Sequence, residues 1–76
     1  MSKQITFYVA TNLDYYGDGA SQETVDDYTE FATEYLENLG YEVEIEEVED
    51  YGHYGEYDPR NQNALREVVW SAYCNQ

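Results

Sequence analysis

Seventeen Asp and Glu residues stand against three cations, Lys3, Arg60 and Arg66, in a chain of 76 residues with a formal net charge of −14. Ionised carboxylates are almost never buried without a partner, and three cations cannot pair them all. Any fold must therefore put nearly every acid in water and build its core from what is left. Much of what is left is aromatic: ten Tyr, two Phe and one Trp. That supply argues against wholesale disorder. A chain of this length makes one domain, 1–76, with a small core, burying about 60% of the surface its unfolded form exposes. Self-repulsion works against compaction, so the positions of the acids along each element are informative.

Gln4 to Thr11 (QITFYVAT) reads as a strand, with Ile5, Phe7 and Val9 alternating against Thr6, Tyr8 and Ala10. Asn12 to Ala20 (NLDYYGDGA) carries the Asn, Asp and Gly of a loop. Ser21 to Leu39 reads as a helix capped by Ser21, with Glu23, Asp26 and Asp27 favourably placed near its start. Val25, Tyr28, Phe31, Ala32, Tyr35, Leu36 and Leu39 form its apolar stripe, and Gly40 suits the left-handed position after it. Tyr41 to Asp50 (YEVEIEEVED) reads as a second strand. Val48 breaks its alternation after Glu46 and Glu47, which predicts a bulge or an end there.

Tyr51 to Asp58 (YGHYGEYD) is a second Tyr/Gly loop, and Asp58-Pro59 reads as a helix start. The last helix is expected from Pro59 to about Cys74. Ala64, Leu65, Val68, Val69 and Ala72 would form its apolar face, flanked by Trp70 and Tyr73. The predicted class is α/β: a small β-α-β-α domain with a two- or three-stranded sheet packed by two helices. If the two strands pair directly they are parallel, joined by a right-handed crossover. Two strands are too few to stand alone. A third short strand from a Tyr-rich loop, or a homodimer formed through a sheet edge, would supply the missing support.

The acids fall in two rows. Glu23, Asp27, Glu30, Glu34 and Glu37 are spaced four, three, four, three, so they share one helix face about 21 Å long, at about 1.5 Å per residue. Glu42, Glu44 and Glu46 share one strand face at intervals of roughly 6.6 Å. No cation is interleaved in either row. A solvated face is the ordinary meaning of a charge run, and adaptation to high salt gives a similar composition. The functional meaning is a surface that arginines and lysines of another molecule grip. The loop tyrosines Tyr15, Tyr16 and Tyr54, with Tyr51 and Tyr57, are interface candidates, since tyrosine anchors interfaces and stacks on arginine. Equally, they would cap a thin core.

Other chemistries find little support. Asp14-Tyr15-Tyr16-Gly17-Asp18-Gly19 has the glycine of a calcium loop at position six, but position three is Tyr16 and position twelve is Val25, not a bidentate Glu. No metal or cofactor site is expected; a divalent cation loosely held on the acidic rows stays open. His53 stands in a loop, where a surface role is expected, and Cys74 is a lone thiol that cannot form an intrachain disulfide. No phosphate loop or nucleophile elbow occurs, so no enzyme activity is expected. No apolar run of membrane-spanning or signal length occurs, which points to a soluble, cytoplasmic protein. Its charge repels nucleic acid and anionic membranes.

In size, charge and the acidic rows Glu23–Glu37 and Glu42–Glu46, the chain resembles the small acidic DNA-mimic inhibitors that phages and mobile elements use against host defence, such as anti-CRISPR and anti-restriction proteins. The resemblance is one of pattern and carries over no family motif. It implies an inhibitor that occupies the basic DNA- or PAM-binding groove of a CRISPR effector subunit, a basic nucleic-acid-binding protein, in the host cytoplasm. Two alternatives stay open: an acidic interaction domain adapted to high salt, and the acidic partner of a basic toxin or nucleoid protein.

Overall fold

The computed structural model describes residues 3–76 and, at His53, the backbone alone; the surface role expected of the His53 side chain lies outside the described residues. Strands β1 (Lys3–Ala10) and β2 (Tyr41–Val48) and helices α1 (Gln22–Asn38) and α2 (Asn63–Cys74) follow one another in the order β-α-β-α. Short 3-10 turns at Leu13–Tyr16 and Tyr51–His53 lie in the two Tyr/Gly loops. The fold is a small α/β domain.

β1 and β2 pair in parallel, from Lys3 beside Tyr41 to Ala10 beside Val48, with no bulge. This register sorts the side chains. Ile5 and Phe7 stand beside Val43 and Ile45 on one face, and Thr6 and Tyr8 stand beside Glu44 and Glu46 on the other. Both helices pack on the first face, where Phe7, Val9, Val25, Tyr28, Ala32, Leu36 and Val69 are fully buried. On the second face a smaller cluster of Ala10, Val48 and Tyr51 covers the far end of the sheet. Val48 therefore belongs to the Glu42–Glu44–Glu46 face. It is apolar because the Tyr51 loop covers it, and β2 ends there.

α1 forms as its sequence dictates. The Ser21 carbonyl accepts the first helical N–H groups, from Thr24 and Val25, and the Ser21 N–H donates to Thr24 Oγ1 at 3.4 Å. The helix stops at Gly40, whose φ of 97° lets its N–H return to the Glu37 carbonyl at 3.0 Å. Leu39 lies past the last turn and is exposed, outside the stripe in which it was expected.

α2 starts four residues later than Pro59. The Asp58 carboxylate accepts the Arg60 backbone N–H at 2.9 Å and its guanidinium at 3.0 and 2.8 Å, which closes a turn where a helix start was expected. That pairing holds the Asp58 carboxyl down to about 2. Gln62 then adopts a left-handed conformation, with φ 43° and ψ 38°, which costs a non-glycine residue about 1–2 kcal/mol. The cost has a visible return. Gln62 Oε1 accepts the Tyr8 N–H at 3.1 Å, and Nε2 donates to the Thr6 carbonyl at 2.6 Å.

The next groups along this edge of β1 meet tyrosines. The Tyr51 hydroxyl accepts the Ala10 N–H at 2.9 Å and donates to the Tyr8 carbonyl at 2.8 Å. The Tyr16 hydroxyl donates to the Ala10 carbonyl at 2.7 Å. Among the described residues there is no third strand. Three side chains do the hydrogen bonding that a third strand from a Tyr-rich loop was expected to do.

The buried face of α2 is also rotated from expectation. Leu65, Val69, Trp70 and Tyr73 pack inward, while Ala64 and Val68 are exposed. The reason is aromatic: Trp70 and Tyr73 meet the ring of Tyr28 edge-on, with centroids 5.3 and 5.4 Å away.

Replacing Gln62 by Ala keeps the backbone strain and removes both edge bonds, so a loss of about 1–3 kcal/mol is expected in chemical denaturation. Gln62→Gly removes the strain as well and should lose less; an Ala variant as stable as the parent would show that the amide does not hold the edge. Tyr51→Phe should lose a similar amount with its ring still packed. Burial raises the hydroxyl pKa of Tyr16, Tyr28 and Tyr51 above the ordinary value of 10. Groups whose pKa is raised by folding contribute stability below their unfolded value and lose it as pH rises through the folded one. Stability should hold up to about pH 10 and fall steeply above it, as circular dichroism against pH would show.

Candidate functional site

α1 turns Val25, Tyr28, Ala32 and Leu36 into the core and leaves Glu23, Asp27, Glu30, Glu34 and Glu37 exposed on the opposite side. The row is therefore real and points directly away from the sheet. Glu42, Glu44 and Glu46 are exposed too, but on the sheet face that the helices do not cover. The fold brings each row into order and does not merge them. They look in opposite directions from a body whose smallest extent is 18 Å.

The cations explain why both rows stay bare. Among the described residues the single ion pair is Arg60 with Asp58, at 2.8 Å. The guanidinium of Arg60 also lies over the Tyr54 ring, 4.1 Å from its centroid. Arg66 is turned inward, 3.6 Å from the Tyr51 ring centroid, with Nη2 donating to the side-chain oxygens of Asn63 and Asn61. Lys3 stands at the exposed start of β1. Within the rows, Asp27 accepts the Tyr73 hydroxyl at 2.7 Å, which also raises the Tyr73 pKa.

The candidate tyrosines divide. Tyr15 is partly exposed and donates to Asp50, a bond that raises its pKa. Tyr16 packs edge-on against Tyr28 and Trp70, with centroids 5.7 Å from each, and belongs to the core. Tyr54 is half-buried beneath Arg60. Tyr51 is buried, whereas Tyr57 is almost fully exposed, so Tyr15 and Tyr57 are the candidates open to a partner, and neither lies in a row.

A cavity of about 490 Å³, lined among others by Tyr15, Tyr16, Tyr28, Tyr51, Arg66 and Trp70, was not anticipated from any motif. Its walls hold two orphans: Tyr28 Oη and Arg66 Nη1 are buried with no hydrogen-bond partner. Each such group costs about 1–3 kcal/mol. No periodicity foretells this pocket, because it joins both Tyr/Gly loops, α1 and the N-terminal part of α2.

Among the described residues, no three of His, Cys, Asp and Glu come together as metal ligands. No helix among them is long and apolar enough to cross a membrane. Comparison with protein-family models, with curated proteins and with solved structures finds no match.

Proposed function

We propose that the protein is a DNA-mimic inhibitor of the anti-CRISPR kind, which occupies the basic DNA- or PAM-binding groove of a CRISPR effector subunit and excludes the target DNA in the host cytoplasm. The observation that supports this reading is the segregation of charge. Two rows of carboxylates stand on rigid elements with no cation among them, while Arg60 and Arg66 are engaged with Asp58, Asn63 and Tyr51. Like charges at helical spacing cost a few tenths of a kcal/mol per pair. A fold that needed relief had cations at hand and engages two of them elsewhere.

The rows have a spacing that a phosphate-binding groove accepts. Neighbouring carboxylates lie about 5 Å apart along α1 and roughly 6.6 Å apart along β2. Both are on the scale of phosphates along a strand, whose nucleotides rise about 3.4 Å each but lie farther apart along the backbone. Attraction of this kind acts at long range, speeds association and is screened by salt. The function needs no catalytic group: bound protein and DNA compete for one groove.

The test uses two charge-reversed variants and a gel-shift assay of effector binding to target DNA. One carries Glu30→Lys, Glu34→Lys and Glu37→Lys, the other Glu42→Lys, Glu44→Lys and Glu46→Lys. All six positions are exposed, so both variants should keep the parent circular dichroism. At least one should lose inhibition by about a hundredfold or more, as disruption of several close charge pairs implies. Parent inhibition should weaken as salt rises, with the fold intact in dilute buffer. Two fully active variants, or a parent that folds only in molar salt, would replace this reading with that of a salt-adapted domain.

A further inference from the structure

The two edges of the sheet are treated differently. Along β1, Gln62, Tyr51 and Tyr16 satisfy the outward groups from the Thr6 carbonyl to the Ala10 carbonyl. Along β2 nothing comparable exists among the described residues. The Val48 carbonyl accepts the Thr11 N–H, so Val48 faces β1. Backbone groups alternate along a strand, so Glu42, Glu44 and Glu46 face β1 as well. Val43, Ile45 and Glu47 then turn their N–H and C=O groups outward. Among the described residues no strand lies there, and no loop or side-chain hydrogen bond reaches those groups.

We propose that the open edge of β2 takes up an extended basic segment of a partner protein as a third strand. The backbone of Val43, Ile45 and Glu47 would supply the ladder. Glu42, Glu44 and Glu46, exposed on one face, would meet lysines or arginines at alternate positions of the incoming strand. Val43 and Ile45 are only half-buried on the other face, and apolar residues at the intervening positions would complete their cover. Affinity thus comes from main-chain bonds, and selectivity from the alternating basic and apolar pattern.

Charge decides against a second copy as the occupant. Antiparallel pairing of two β2 strands with their helices on one side brings glutamates opposite glutamates, as Glu44 on Glu44 and Glu42 on Glu46. Opposed like charges destabilise a sheet. Glutamates along an open edge keep copies of this chain apart, and the same residues attract a basic strand.

This inference rests on the reading that the partner is basic, and the experiment separates the two. The probe is an acetylated, amidated octapeptide of alternating Lys and Val, with a fully N-methylated counterpart that keeps the charge but donates no backbone hydrogen bond. Binding and residue-resolved amide exchange are measured by NMR. The plain peptide should slow exchange at Val43, Ile45 and Glu47 by about tenfold or more, and the N-methylated one should bind at least about tenfold more weakly, as loss of several hydrogen bonds requires. Equal binding of both peptides, or no protection of these amides at millimolar peptide, overturns strand addition and leaves the basic-partner reading standing. Protection together with a dimer mass in the absence of peptide overturns it in favour of a second copy. If the triple variant Glu42→Gln, Glu44→Gln and Glu46→Gln captures the plain peptide as well as the parent does, the edge is real and the requirement for a basic partner fails.

Discussion

A parallel pair of strands with helices on one face has two bare edges and one bare face, and such a sheet does not hold together in water unaided. In this protein the bonds from Gln62 and Tyr51 to β1 supply much of the missing support. They tie the segment after β2 back across the start of the chain, which fixes the entry to α2 and lays the Tyr51 loop over Ala10 and Val48. The left-handed backbone of Gln62 follows from this. A helix begun at Pro59 would carry position 62 in right-handed form and aim its amide elsewhere. Strain at one residue therefore sets where the last helix begins.

The shortage of cations shapes the rest. With the acids confined to the surface, the interior relies on tyrosine, which brings a hydroxyl wherever it goes. Several of these hydroxyls find work: Tyr51 and Tyr16 on the edge of β1, Tyr73 on Asp27. Tyr28 does not, and its buried hydroxyl has no partner. An aromatic core of this kind packs through edge-on rings more than through interlocking aliphatic chains, and that geometry draws Trp70 and Tyr73 inward at the expense of Val68.

Much of this was legible in the sequence where one local rule decides. The Ser21 and Gly40 boundaries of α1, the parity of the glutamates on β2 and the spacing of the helix acids all follow from period and capping, and the structure keeps them. Legibility ended where two distant segments decide together. Asp58-Pro59 has the chemistry of a helix start, yet Arg60 captured the carboxylate and Gln62 was needed 54 residues away at Tyr8. The same holds for the acidic rows. Spacing shows that each is ordered, but only the placement of α1 over the Val43–Ile45 face shows that the rows look opposite ways. Tyr16 and Tyr54, read as interface candidates from their loops, turned out to be engaged by Trp70 and Arg60.

The contrast between the edges bears on function because one chain treats equivalent problems in two ways. Sealing β1 engages a strained glutamine, the buried Tyr51 and the half-buried Tyr16, so the fold has the means to close an edge and uses them once. At β2 it relies on glutamates, which repel other copies of the same molecule but satisfy none of the outward backbone groups. Water can satisfy them, so stability alone does not require a partner. Yet an edge closed by repulsion is closed only to strands of like sign. In the proposed complex, the glutamates that oppose a second copy at this edge are the same ones that favour a groove lined with arginine and lysine. On that proposal the acidic surface and the open edge are two parts of one recognition device, in which charge brings the partner close and backbone pairing fixes its register.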